Sequence, residues 1–92
     1  MTFYTARIYK EDGAYLVEFP DLLGTLTYGD TLEEAKAMAK EAMDGTLMCY
    51  NDEGESWPEA KTKPDEEHGL YAIKVSAEVE KLHPRMKRND QL

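Results

Sequence analysis

A single cysteine in 92 residues leaves nothing for an internal disulfide to pair with. Cys49 falls between Met48 and Tyr50, near the end of a helical pattern, and is expected to pack as a small hydrophobe. A thiolate nucleophile would need a basic activator, and the two histidines, His68 and His83, lie far along the chain. Neither histidine has further ligands at metal spacing, so both read as surface groups, and no metal or other cofactor is expected. The sequence also lacks a phosphate-cradling glycine loop and a nucleophile triad, and no enzymatic activity is expected of it. No apolar run is long enough to cross a membrane, and the first residues lack the basic-then-apolar layout of a signal peptide. A cytoplasmic protein is the expectation.

Positive charge is scarce as well. Eleven Lys and Arg face 19 Asp and Glu, for a formal net charge of −8. Residues 1–69 hold 16 acidic and 6 basic side chains, a net of −10, whereas residues 70–92 hold 3 and 5, a net of +2. An acidic body repels phosphates and attracts basic proteins, fastest at low salt. A merely soluble acidic surface would have the same composition, so charge alone names no partner. Ninety-two residues make one domain with a small core, for which oligomerisation is a natural supplement.

What is present is a run of short periodic segments. Residues 2–9 are aromatic and β-branched enough for a strand with Tyr4, Ala6 and Ile8 on one face. Glu11-Asp12-Gly13 reads as a tight hairpin turn. Residues 14–19 alternate, which sends Tyr15, Val17 and Phe19 to the core. Pro20 ends that strand, Gly24 closes a connector, and Thr25 to Tyr28 forms a third strand.

Thr31 with Glu34 fits a capping box at a helix start, and two acids in the first turn suit the helix dipole. Leu32, Ala35, Ala39, Ala42, Met43, Leu47 and Tyr50 recur at steps of three and four, forming one stripe towards the sheet. Gly45 suggests a close approach to the strands, with Lys36, Lys40 and Asp44 on the wet side. Residues 51–69 read as an exposed, mobile acidic loop whose Trp57 either folds back on the core edge or anchors a partner. A last strand, residues 70–76, places Tyr71, Ile73 and Val75 together, and residues 77–92 form a short basic tail interrupted by Pro84. The prediction is one α+β domain over residues 1–76, β-β-β-α-β, with an antiparallel-rich sheet and one helix on one face.

The ordered pattern Y-x-V-x-F-P-D-L-x-G, T-x-G-D-T-x-E-E-A and A-x-E-A-x-x-G-x-L spans Tyr15 to Leu47. It resembles the N-terminal domain of HicB-type antitoxins. The resemblance implies a partial RNase H-like fold and a protein partner: HicA, a small basic mRNA-cleaving toxin whose catalytic histidine such domains occlude. The family's motif more often carries a second proline where this chain has Leu23. Family members usually add a C-terminal DNA-binding domain, whereas only 16 residues follow the last predicted strand here. The tail, with Lys81, Arg85, Lys87 and Arg88, is too short for a helix-turn-helix or ribbon-helix-helix module, so no specific nucleic-acid binding by this chain alone is expected.

The residues admit three functions. Glu18, Asp21 and Asp30, near strand ends, could hold two metals for phosphodiester cleavage, yet a turn and a helix start account for Asp21 and Asp30 without one. The favoured function is a protein-binding module that neutralises a basic HicA-like toxin, with Asp52, Glu53, Glu55, Trp57 and Glu59 as candidate contacts. The alternative is a stand-alone structural or regulatory homo-oligomer, built on strand residues such as Phe3, Tyr9 and Leu16 that face away from the helix.

Overall fold

The computed structural model describes residues 2–81. Strand β1 (Phe3–Glu11) turns through Asp12 and Gly13 into β2 (Ala14–Glu18). Both turn residues take positive φ, 52° and 82°, the signature of a two-residue type I′ hairpin that matches strand twist. Strand β3 is Leu26–Gly29, helix α1 is Leu32–Glu53, and a 3-10 turn at Glu66–His68 precedes β4 (Leu70–Lys74) and helix α2 (Ala77–Lys81). The sheet is antiparallel throughout, in the order β3-β2-β1-β4. The architecture is α+β, in the element order that the periodicities predict, extended by the 3-10 turn and α2.

The register places alternate residues as expected. Tyr4, Ala6 and Ile8 are buried under α1 together with Val17 and Phe19, and Tyr15 packs at the margin. From β4 and the residues after it come Ile73 and Val75. Helix α1 contributes Ala35, Ala39, Met43 and Leu47, a strict four-residue step that ends on Asn51. Leu32, Ala42 and Tyr50 are half-buried flanks of that stripe. Because the step puts residues 47 and 51 inside, Met48 and Cys49 point outwards, so Cys49 is exposed and is not the packed hydrophobe expected.

Thr31 caps α1 by accepting the Glu34 N–H on its hydroxyl. Glu34 reaches back one residue further than a capping box prescribes, accepting the Asp30 N–H at 2.7 Å. Close approach of strand and helix falls at Gly29, not at Gly45. A Cβ on Gly29 would lie 2.6 Å from the Ala35 nitrogen, whereas one on Gly45 would meet nothing within 4 Å.

The charged side of α1 also departs from expectation. Lys36, Lys40 and Asp44 are half-buried against β4 and the chain beyond it. Lys36 Nζ lies 4.5 Å from the Tyr71 ring centroid, and Lys40 Nζ donates to the Lys74 carbonyl at 2.6 Å. Asp44 accepts the Ser76 N–H and hydroxyl at 3.2 and 2.6 Å. Residues on one flank of a sheet-covering helix meet the edge strand, and long side chains satisfy the backbone that strand leaves unpaired. Val79 of α2 is buried in the common core, so the packing continues past residue 76.

Candidate functional site

The acidic segment after α1 begins inside the helix. Asn51, Asp52 and Glu53 are its last residues, and Gly54 ends it at φ 73°, its N–H donating to the Asn51 carbonyl at 3.1 Å. Asn51 is fully buried and is the one residue here that the sequence pattern did not single out. Its side-chain oxygen accepts the Trp57 indole N–H at 3.0 Å, and its amide nitrogen reaches the Val79 carbonyl at 3.5 Å. Trp57 is half-buried against the core, the first of the two positions considered for it.

From Trp57 the chain runs as an arm across the end and outer face of the sheet. The Tyr4 hydroxyl donates to the Pro58 carbonyl. Burial pushes the Tyr4 hydroxyl above its ordinary value of 10.0, with the Asp21 carboxylate and Tyr50 adding in the same direction. Asp21 accepts the Lys61 and Thr62 N–H groups on one oxygen, at 2.9 and 2.8 Å, and the Thr62 hydroxyl on the other at 3.0 Å. Thr5, on the outer face of β1, donates its hydroxyl to the Thr62 carbonyl at 2.7 Å and is buried beneath the arm. The arm returns to the sheet through a bridge between Asp65 and Leu70. Residues 51–69 are therefore helix end, fastened arm and 3-10 turn; the loose loop expected of a polar stretch is absent because its polar groups have partners far away in sequence.

The five candidate contacts fall along this path. Asp52, Glu53, Glu55 and Glu59 are exposed on the helix end and arm, and Trp57 sits among them with its indole turned to Asn51. The carboxylates considered for metal chemistry are engaged differently. Glu18 pairs with Arg7 at 2.8 Å, Asp21 holds the arm, and Asp30 precedes the helix cap. The 3-10 turn brings Asp65, Glu67 and His68 within 4.8 Å of one another, a grouping the spacing of the histidines did not suggest. All three are exposed, and the 2.6 Å contact of His68 Nδ1 with Asp65 accounts for their convergence. His83 and the basic Arg85, Lys87 and Arg88 lie outside the described residues.

Part of the outer sheet face stays uncovered. Register aligns Tyr28, Leu16 and Tyr9 in one row and Leu26, Glu18 and Arg7 in the next. Leu26 and Tyr28 on the edge strand are 68% and 63% exposed, an apolar pair next to an ion pair. No helix among the described residues is long and apolar enough to cross a membrane.

Comparison with known proteins agrees with the motif. Residues 4–89 match the family described as the HicB_like antitoxin of bacterial toxin-antitoxin system. Antitoxin HicB 1 of Photorhabdus laumondii is 44% identical over 48 residues, which are 52% of this chain and 31% of that protein. Antitoxin HicB 2 of the same organism is 35% identical over 60 residues, 65% of this chain and 43% of that protein. The matched region thus spans less than half the length of these curated relatives. The crystal structure of the antitoxin HicB of Burkholderia pseudomallei shares the fold, with a TM-score of 0.71 at 24% identity over 83% of this chain and 63% of that one. The crystal structure of its N-terminal domain gives 0.65 at 27% identity, over 83% and 99%. A chain of the HicA3 and HicB3 toxin-antitoxin complex gives 0.64 at 24% identity, over 82% and 99%. With 86 consecutive positions matched, this chain belongs to the HicB-like antitoxin family of bacterial toxin-antitoxin systems.

Proposed function

We propose that the chain is an antitoxin that neutralises a small basic HicA-like toxin by binding it directly. The observation that carries this is the fastened acidic surface of residues 52–59: Asp52, Glu53, Glu55 and Glu59 are exposed on backbone held by a helix and by hydrogen bonds. Fixed like charges on one surface steer an oppositely charged partner and cost less ordering on binding than a loose loop. Trp57 braces that surface from behind through Asn51, so its contribution to the complex is the shape of the arm.

The test is whether a reading frame beside this gene encodes a small basic protein and, where it does, the kinetics of binding to that protein together with growth rescue on coexpression. Replacing the four acids by Asn or Gln lowers the association rate and flattens its salt dependence. Trp57→Ala raises the dissociation rate and weakens rescue. Unchanged kinetics in both variants would move the interface to the sheet or the helix. The exposed Leu26 and Tyr28 favour a second property, self-association through the uncovered outer face, which accompanies toxin binding or stands in its place if no toxin is encoded nearby.

A further inference from the structure

We infer that Asp21 is the positioning residue of the acidic arm: its carboxylate latches residues 61 and 62 to the turn after β2 and so fixes the stretch that carries Glu59. The inference deepens the contact surface proposed above and rests on it.

Asp21 itself is rigidly placed. Phe19, two residues before it, and Leu22, just after it, are 3% and 1% exposed, and the Leu22 N–H closes a turn on the Phe19 carbonyl at 3.1 Å. An ionised carboxylate only accepts hydrogen bonds, and here the two oxygens take three donors, all from residues 61 and 62 and all within 3.0 Å. Two consecutive backbone N–H groups on one oxygen form a clamp, which the charge of the carboxylate strengthens. Thr62 is gripped from its other side as well, since its carbonyl takes the Thr5 hydroxyl. The contacts span 40 and 41 positions of sequence, so they decide where the arm lies and contribute nothing to the local turn. An aspartate serving only the Phe19-Pro20-Asp21 turn would direct its oxygens at residues 22–24 instead. Upstream, Pro58 and Trp57 are tied to Tyr4 and Asn51, so the arm is held at both ends of the stretch bearing Glu59.

Amide hydrogen exchange of the full chain, resolved by residue, tests this without any partner. In Asp21→Ala the Lys61 and Thr62 amides exchange about 10- to 100-fold faster, while Ala6, Ile8 and Val17 in the sheet keep their protection. In Asp21→Asn most of the protection returns, because the amide oxygen still accepts the two N–H groups and the amide nitrogen can donate to the Thr62 hydroxyl. Unchanged exchange at residues 61 and 62 in Asp21→Ala would overturn the inference. So would an equal rise throughout the sheet, which would make Asp21 a general stabiliser. Should Asp21→Ala fail to fold, Thr62→Val removes one donor alone and must still raise exchange at Thr62 above that of the sheet. The two proposals fail separately: an arm that loosens with no change in toxin kinetics removes the contact surface and leaves the latch, and an arm indifferent to Asp21 removes the latch and leaves the contact surface.

Discussion

At Gly29 the strand β3 passes close to the start of α1, and the absence of a side chain makes that possible. A Cβ there would stand 2.6 and 2.8 Å from the Ala35 nitrogen and Cα, both backbone atoms that move only if the start of α1 moves. Gly29→Ala should therefore cost about 1–3 kcal/mol, the usual range for overpacking, measured by urea unfolding. Gly45 is the opposite case. It lies within α1 with open space around its Cα, so Gly45→Ala should stabilise by about 0.5–1 kcal/mol through the helix propensity it restores. A thermal midpoint a few degrees higher would show it, and a lower one would mean that Gly45 answers to something besides helix propensity. Tyr4 supplies a pH-dependent test at the same scale. Its folded-state value is raised above 10.0, chiefly by burial, so the folded chain holds the proton where the unfolded chain releases it. The contribution is complete below about pH 10 and is lost as pH rises through the folded value. Unfolding free energy followed from pH 8 to 11.5 should fall less steeply above pH 10 in Tyr4→Phe than in the parent chain, although the variant begins lower for want of its bond to Pro58.

Among the elements, α1 shows what periodicity can and cannot carry. Its inward step at Ala35, Ala39, Met43 and Leu47 was legible because apolar residues at helical spacing leave few alternatives. The strand faces and the Thr31 cap were legible for the same kind of reason, each being set by residues within a few positions of one another. The parallel line at Lys36, Lys40 and Asp44 has the same spacing, but charge assigns it to water, and only the position of β4 and the residues after it gives those side chains partners. The arm was opaque for a stronger reason. Its backbone N–H groups at 61 and 62 have no side-chain signature, and their acceptor lies 40 positions earlier in what looks like an ordinary turn. Helix α2 is five residues long, too short to show a period, and it is held by Val79 and by Asp44 at its approach. Asp44→Ala should accordingly cost about 1–2 kcal/mol, since it strips a charged acceptor from two Ser76 donors. Loss of amide protection at Ser76 ahead of β4 would locate the damage at the β4–α2 junction. A cost below a few tenths of a kcal/mol would show that water replaces the carboxylate there.

At the scale of the whole molecule, a small acidic domain keeps one sheet face partly uncovered. The arm covers the outer face over Thr5 and leaves the rows Tyr28–Leu16–Tyr9 and Leu26–Glu18–Arg7 in contact with water. Two edge-strand residues more than 60% exposed are a modest apolar patch, and a stable dimer needs about 800 Å² from each partner, so the rest of both rows has to take part. Two copies each carrying −8 repel one another, and salt screens that repulsion. Self-association through this face should therefore strengthen as salt is added, whereas binding of a basic toxin to the acids at 52–59 should weaken. Light scattering at high micromolar concentration should find a dimer or larger species whose fraction rises between low and moderate salt. Leu26→Lys with Tyr28→Lys should return it to a monomer with its circular dichroism unchanged, because both side chains project from an edge strand into solvent. A parent chain that stays monomeric at that concentration, in salt as well as without, would leave the uncovered rows to a different protein and sink the oligomer.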